Sequence, residues 1–538
     1  MKPSRRFRID LMPIENGKAF EKVASYLYDR VSHTNLPMPD KNTYINRCVE
    51  VIKSRVYDPL FSEATHIHIE QLYNEDAWKD MVSLYYVHTF PNISTRSMRV
   101  HLFNWHKDYI DISEKADESK SGGYRYVDED VNECYLGYFN LRPVNNATAI
   151  LSYVMPNYSN LILKTEDGLL MNMLTYRRSV HLSGITLRTE VFPFFAGESI
   201  VAVCAHCCLI MLSRYMYRRM RMPEISLKDI CTVDQQRVYP SYGLSLKNIF
   251  EIFSNHHIVV RAYTGSIEPR KDVYTLHLIR DIVFSLLDSH IPVLLAFNSH
   301  VILLCGITNG DENSDRYISV YDDSGAFVRR LGETKKIIEM IRWGTIESAC
   351  KANNDKEIHA IAPMYPRISL DYPTLKVLLD SDKVRDLQDF QRAFLLDCNK
   401  TKALLLQCLS SYGFESEKVN SAKGKEKEIY LQFTLLSAII EHFLHSDTSH
   451  YYWWVEYKSG RSSVYNYLIV DTVKTASLHI TEYSINFARH TQEVTNIARG
   501  LARENGYGKD FEDWLQDNDY QFAFIPLTVK ADQATNQM

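Results

Sequence analysis

Residues 197 to 211 read GESIVAVCAHCCLIM, and the apolar run continues to Met216. From Ser199 to Met216 the sequence is apolar on nearly all sides, which is typical of a helix buried in the middle of a domain. Cys204 lies where an extended approach enters this helix. A thiol at a helix N-terminus is close to unpaired backbone N–H groups and to the positive end of the helix dipole, and both favour the nucleophilic thiolate. The stretch therefore predicts a domain core that carries its own nucleophile at Cys204.

A base and an orienting group for this thiol are predicted in a downstream hairpin. Two short apolar strands are joined by NGDENSD, residues 309 to 315, which has the composition of a tight turn. The midpoint between His300 and Asp322 falls inside this turn, so an antiparallel hairpin would set these side chains roughly opposite each other on one face. Asp323 would point to the other face and is the poorer partner. Cys204, His300 and Asp322 are thus predicted to form a catalytic triad of nucleophile, base and orienter.

Five segments of the sequence resemble a known family: Gly197 to Met211, Gly243 to Leu246, Pro292-Val293, His300-Val301 and Val320 to Asp322. Together they resemble the papain-fold cysteine peptidases that process bacteriocin precursors with double-glycine leaders. The resemblance implies a fold in which a Cys opens the central helix and a second Cys follows four residues later. A His strand and an Asp strand complete the site. Cys204, Cys208, His300 and Asp322 occupy those positions.

Glu198 departs from the pattern that this resemblance implies. Family members usually carry a Gln six residues before the nucleophile, where it donates a hydrogen bond to the oxyanion, and Glu198 stands at that oxyanion position. An ionised Glu cannot donate, whereas a Glu kept protonated by burial can. The loss of one oxyanion donor costs about 100-fold to 1000-fold in rate. Two functions follow as hypotheses. One is a papain-like cysteine peptidase or related thiol-dependent amide hydrolase, and the other is a catalytically impaired pseudo-peptidase that acts as a binding or scaffold protein.

The cysteine cluster is also compatible with two other kinds of site. Cys204-Ala205-His206-Cys207 is a C-x-x-C at a helix start, as in thiol oxidoreductases, but no thioredoxin-like order of strands follows it. A zinc site from Cys204, His206, Cys207 and Cys231 is the weaker reading. Consecutive helix positions diverge, and no second C-x-x-C supplies the other half of a tetrahedron. We therefore expect neither a metal nor a cofactor.

Composition restricts the class of protein and its partners. The chain has 538 residues, of which 45% are hydrophobic and 24% charged, and this indicates a globular protein of three or four structural units. Lys and Arg total 61 against 66 Asp and Glu, so the basic excess of a nucleic-acid-binding protein is missing. The sequence shows no signal-peptide pattern and no apolar run of about 18 residues. Ten cysteines without a disulfide spacing fit a reducing compartment. We expect a cytoplasmic protein that acts on a peptide or protein substrate, without nucleic acid or membrane as a partner.

The expected fold class is α/β (α+β), with a central papain-like cysteine peptidase fold flanked by an α/β N-terminal region and a helical plus β C-terminal region. Five segments are predicted: an N-terminal α/β region (1–110), a β-rich segment (131–190), the papain-like core (191–345), a helical insertion or lid (366–446) and a C-terminal α/β region (447–538). The insertion is expected to contain a helix over Val384 to Gln407. A weaker resemblance to larger bacterial papain-like proteins extends beyond the core, through Tyr135 to Tyr138, Leu141-Arg142-Pro143, Trp454 to Glu456 and Val470 to Thr472.

Overall fold

The structure is a computed structural model that describes residues 7–15, 17–34, 37–89, 92–105, 124–127, 129–182, 184–233, 243–266, 273–297, 300–308, 316–322, 337–352, 357–365, 368, 370–379, 390–397, 451–458, 465–471 and 485–486. Helices and sheets are mixed in these residues, and the strand pairs are antiparallel except for one. The expected α+β class is therefore confirmed.

The helices have these bounds in chain order: α1 (Lys18–Ser32), α2 (Lys41–Ile52), α3 (Asp58–Leu60), α4 (Asp76–Met81), α5 (Val87–Thr89), α6 (Cys204–Tyr215), α7 (Leu227–Thr232), α8 (Leu246–Asn255), α9 (Leu276–Asp288), α10 (Trp343–Ala352) and α11 (Tyr372–Leu379). Three of them continue directly into a π-helical turn, at Lys53–Tyr57, Val82–Tyr86 and Met216–Met220. The central helix begins at Cys204, as predicted, and the first five residues of the apolar run, from Ser199 to Val203, precede it.

The strands have these bounds: β1 (Phe7–Asp10), β2 (Met12–Pro13), β3 (His66–Tyr73), β4 (Ser97–Phe103), β5 (Tyr124–Val127), β6 (Tyr135–Leu141), β7 (Leu151–Pro156), β8 (Met171–Met173), β9 (Tyr176–Leu182), β10 (Ile185–Val191), β11 (Phe194–Phe195), β12 (Val260–Ser266), β13 (Tyr274–Thr275), β14 (Val293–Ala296), β15 (Val301–Thr308), β16 (Tyr317–Tyr321), β17 (Ile338–Arg342), β18 (Glu357–Pro363), β19 (Phe390–Asp397), β20 (Tyr451–Lys458), β21 (Tyr465–Asp471) and β22 (Ile485–Asn486).

The chain divides into two compact units, and each is assembled from separate stretches of sequence. The first comprises residues 1–276, 292–309 and 315–363, and the second comprises residues 277–291, 310–314 and 364–538. Nearly all of α9 therefore belongs to the second unit, although its neighbours in the sequence on both sides belong to the first.

A six-stranded sheet in the first unit has the order β11-β7-β6-β4-β3-β2. Its central strands β4 and β6 are buried at every position, and α1 buries the apolar stripe that contains Phe20, Val23 and Leu27. Gly137 in β6 has a φ of +129°, and a Cβ there would overlap the carbonyl oxygen of Met155. Glycine is thus required where β6 and β7 approach each other.

The second sheet of this unit carries the hairpin expected to hold the triad. Its strand order is β13-β12-β18-β14-β15-β16-β17, and β8 pairs with the end of β15. Leu303 pairs with Tyr321, so Asp322 follows opposite Ile302 and lies diagonal to His300. The two side chains meet on one face, as expected, and are offset by two positions in the register of the hairpin. The turn predicted at residues 309–315 lies outside the described residues.

The second unit corrects one expectation from the sequence. The helix expected over Val384 to Gln407 is wrong where the structure describes it, because Phe390–Asp397 is strand β19. This strand pairs with β20 in a sheet of order β19-β20-β21-β22, and Ala393 and Leu395 are buried in alternation. Pairing with a distant aromatic strand has overridden the local helix-forming composition. The rest of the expected helical insertion lies outside the described residues, apart from α11. Within the part of the chain that the structure covers, no helix has both the length and the apolar character needed to cross a membrane.

Candidate active site

His300 and Asp322 meet at one end of the hairpin formed by β15 and β16. His300 immediately precedes β15, and Asp322 immediately follows β16. The Nε2 of His300 donates to Asp322 Oδ1 at 3.0 Å, and both residues are buried. His300 is also hydrogen-bonded to the side chain of Cys204. Since Nε2 is bonded to the carboxylate, Nδ1 is the ring nitrogen available to the sulfur. The structure thus brings together the three side chains that the sequence selects.

The charge state of His300 follows from these two partners. Burial lowers the pKa of the imidazole, but hydrogen bonds to Asp322 and Cys204, with the charges of both groups, outweigh burial and raise it to about 10. The ring is therefore an imidazolium at neutral pH. A cationic imidazole next to a thiol stabilises the thiolate as an ion pair. This is the protonation pattern that a cysteine nucleophile needs before it attacks.

Cys204 is the first residue of α6, and its position adds the field of the helix to that of the imidazole. The Val203 side chain gives no capping hydrogen bond at the N-cap position, so the first backbone N–H groups of the helix are not capped by that residue. Cys204 is half-buried, whereas the other cysteines in the described residues are buried: Cys48, Cys134, Cys207, Cys208, Cys231, Cys305 and Cys350. Cys398 and Cys408 lie outside the described residues. Cys204 is thus the accessible thiol of the described part.

Cys208 connects the helix to the strand that follows His300. Its sulfur donates to the carbonyl oxygen of Val301 at 3.5 Å. Because Cys208 lies one turn after Cys204 on the same side of α6, this contact fixes the distance between the nucleophile and the strand that carries the base. A structural role for the second cysteine follows.

Glu198 lies in front of α6 and accepts hydrogen bonds. Its Oε2 accepts from the N–H of Ile200 at 2.6 Å, and its Oε1 accepts from the N–H groups of Val201 at 2.6 Å and Ala202 at 3.1 Å. The side chain is buried. Backbone N–H groups therefore occupy both carboxylate oxygens. At the oxyanion position that the sequence indicated, the structure has a side chain that stabilises a turn. These same contacts explain why α6 begins at Cys204, because they hold residues 198 to 202 in a turn.

Arg142 is a residue near the site whose role the sequence did not reveal. Its side chain is fully buried, and Nη2 donates to the carbonyl oxygen of Ala196 at 2.5 Å while Nη1 donates to that of Ala149 at 3.4 Å. The guanidinium also lies over the Phe195 ring, 5.0 Å from its centroid. The signal in the sequence was a lone arginine in the apolar context YFNLRPV, which indicates a buried charge with a dedicated partner.

The two alternative readings of the cysteine cluster find less support. Cys207, the second thiol of the C-x-x-C, is fully buried. Among the residues that the structure describes, no group of three or more His, Cys, Asp or Glu side chains is arranged to hold a metal ion. The set of Cys204, His206, Cys207 and Cys231 is therefore not gathered into a zinc site. Asp323, the poorer candidate for the orienting acid, lies outside the described residues.

No model of a known protein family matches this chain, and no curated protein matches it.

Proposed function

We propose that this chain is a papain-like cysteine peptidase, or a related thiol-dependent hydrolase of amide bonds, with a peptide or protein as its substrate. The observation that carries the proposal is the hydrogen-bonded series from Cys204 through His300 to Asp322 at the start of a buried helix. A helix that begins with the nucleophile and is bonded to an antiparallel hairpin that carries the base supports the papain-like fold in this proposal.

Each side chain has a distinct part in the proposed reaction. The Cys204 thiolate attacks the carbonyl carbon of the substrate, and His300 then gives a proton from Nδ1 to the leaving amine, which leaves an acyl group on the sulfur as a thioester. His300 next takes a proton from water, whose oxygen attacks the thioester and releases the acid. Asp322 holds the ring through Nε2 in both steps and stabilises its positive charge. The N–H of Cys204 at the open end of α6 is available to the developing oxyanion.

A second candidate is a pseudo-peptidase that retains the fold for binding or scaffolding. The observation that favours it is the engagement of both Glu198 oxygens by backbone N–H groups, because this side chain then offers no hydrogen bond to an oxyanion. For either candidate we propose a cytoplasmic location. The eight cysteines in the described residues are all free thiols, the state expected in a reducing compartment.

Hydrolysis of a diverse peptide library tests the proposal. The full chain is expected to cleave library members, and rapid acid quenching should trap an acyl group on the peptide that contains Cys204. The Cys204→Ala variant should lose both signals, and Cys48→Ala, which removes a buried thiol that has no part in the site, should retain the acylated Cys204 peptide. If the folded native chain cleaves nothing and forms no acyl adduct, the pseudo-peptidase takes the place of the enzyme.

A further inference from the structure

Two buried charges that the proposed mechanism does not use lie in front of the nucleophile. Arg142 is 0% exposed and Glu198 is 4% exposed. Both bind the backbone of the short segment that leads into α6, since Arg142 donates to the Ala196 carbonyl and Glu198 accepts from three N–H groups between Ile200 and Ala202. Arginine and glutamate are seldom buried without a dedicated partner. Here the partners of both charges include the same segment.

The segment between Ala196 and Cys204 has a backbone that needs such support. Ser199 has a φ of +70°, a conformation that residues with side chains seldom adopt. Its N–H donates to the Ala202 carbonyl at 3.3 Å, which closes a tight turn. The Glu198 carboxylate binds three N–H groups of the same turn. One residue after this turn is Val203, and the next is the nucleophile. Any change in the turn is therefore transmitted over two peptide units to the sulfur of Cys204.

Arg142 and Glu198 also act on a common neighbour. Burial raises the pKa of the Tyr86 hydroxyl, the charge of Glu198 raises it further, and the charge of Arg142 lowers it. The guanidinium and the carboxylate thus lie in one buried environment and offset each other. The arginine thus reduces the net negative charge next to the segment that leads into the nucleophile.

We propose that Arg142 and Glu198 are positioning residues that together fix the turn of residues 196 to 203, and through it the Cys204 sulfur and the N–H groups at the start of α6. The inference rests on the proposed function, because this positioning serves attack by Cys204 on a carbonyl carbon. It gives Glu198 a role opposite to that of a hydrogen-bond donor, since the side chain works by accepting. The six-stranded sheet, through Arg142, thereby supports the site in the other sheet.

Two substitutions of Glu198 separate this role from that of a donor. Glu198→Asp keeps an acceptor that reaches the N–H groups two and three residues on, whereas Glu198→Gln places an NH2 group against a backbone N–H. We expect iodoacetamide to alkylate Cys204 about tenfold more slowly in the Gln variant than in the native chain, with the Asp variant between them. A donor role predicts the reverse order. If the Gln variant reacts as fast as the Asp variant or faster, the inference is overturned.

The pH dependence of alkylation gives an independent readout. Loss of positioning separates Cys204 from the imidazolium of His300, so the pH of half-maximal alkylation should rise in Glu198→Gln. If the carboxylate acted only by repelling the thiolate, its removal would shift the same midpoint downward. A downward shift therefore contradicts the positioning role even if the rate at neutral pH falls.

Arg142 is tested with a matched buried arginine as control. In Arg142→Lys one ammonium replaces two separate N–H donors, and we expect Cys204 alkylation to slow by about tenfold while the charge that offsets Glu198 is kept. Arg99→Lys alters another buried arginine, in β4 of the six-stranded sheet, whose partners are Asn140 at 3.2 Å and Glu70 at 3.7 Å. Arg99→Lys should lower the melting temperature without slowing alkylation. Equal slowing in both variants would show general destabilisation and would overturn the inference.

The native chain distinguishes failure of this inference from failure of the proposed function. If native Cys204 reacts no faster than the buried cysteines and the chain forms no acyl adduct, the enzyme proposal falls and the positioning role falls with it. If native Cys204 is reactive and Cys204→Ala abolishes cleavage, but Glu198→Gln and Arg142→Lys react like the native chain, only the positioning role falls.

Discussion

The protonated form of His300 contributes to the folding free energy. Its pKa in the folded chain is raised to about 10 because Asp322 and Cys204 outweigh the effect of burial, and the unfolded value is about 6.5. A group whose pKa rises on folding contributes its full stabilisation below the unfolded value, and the contribution is lost as the pH rises through the folded value. The His300 contribution should therefore decline between about pH 6.5 and pH 10.

Asp322→Asn tests this pH dependence. The variant removes the charged partner, so its melting temperature at pH 6.5 should lie below that of the native chain, and the difference should shrink as the pH approaches 10. Thermal unfolding followed by circular dichroism at several pH values measures it. A difference that stays constant over this range would show that the two groups are not paired as ions.

Thiol reactivity is the second property set at single residues. Burial raises the pKa of Cys48 to about 12 and raises that of Cys305 further, whereas Cys204 is half-exposed at a helix start. Near neutral pH, iodoacetamide should therefore modify Cys204 at least about 100-fold faster than either buried thiol. Peptide mapping after partial alkylation gives the order of reaction. Earlier labelling of Cys48 or Cys305 would refute the assignment of the nucleophile.

The pairing of β15 with β8 depends on one glycine. At Gly306, a Cβ would lie 2.8 Å from the Met173 sulfur and 2.9 Å from the Asn172 carbonyl oxygen. Gly306→Ala should therefore lower the free energy of unfolding by about 1–3 kcal/mol. Gly344 in α10 is the control, because a Cβ there meets nothing within 4 Å. Gly344→Ala should be neutral or stabilise by up to about 1 kcal/mol. Urea denaturation compares them, and equal destabilisation by both would contradict the packing argument.

Elements that depend on local pattern could be predicted from the sequence, and those that depend on distant contacts could not. The apolar run of α6 and the apolar strand β15 are visible in the order of residues, so the nucleophile and the base could be chosen. The turn that precedes α6 could not be predicted, because it depends on the Glu198 carboxylate binding three backbone N–H groups, and hydrophobic periodicity does not report such contacts. Strand β19 contains residues that also suit a helix, and its state is decided by β20, about sixty positions later. The role of Arg142 requires a contact with Ala196 across 54 positions.

At the scale of the whole molecule, the chain of the second unit is interleaved with that of the first. Helix α9 follows β13 in the sequence, yet Asp281 is bonded to Lys376 at 2.8 Å, and Ser289 accepts from the N–H of Leu395 at 2.7 Å. A chain that ends at Pro363 keeps α9 and loses these partners. Because α9 belongs to the second unit, we expect its buried apolar residues Ile282, Val283 and Phe284 to be uncovered in that chain.

We therefore expect the chain of residues 1–363 to associate and to bind the dye ANS, which detects exposed apolar surface, while the full chain does neither. Size-exclusion chromatography and ANS fluorescence measure the two effects. A monomeric 1–363 chain with cooperative unfolding and no ANS binding would show that α9 needs no partner from the later sequence.

The interleaving also delays the packing of α9 during synthesis on the ribosome. The contacts of α9 with Lys376 and Leu395 join residues 95 and 106 positions apart. At a translation rate of roughly 5–20 residues per second, those partners are synthesised about 5–20 seconds after the helix. We expect its apolar residues to lack these partners for that interval, so slow codons in the intervening message would lengthen the period in which a chaperone must shield them.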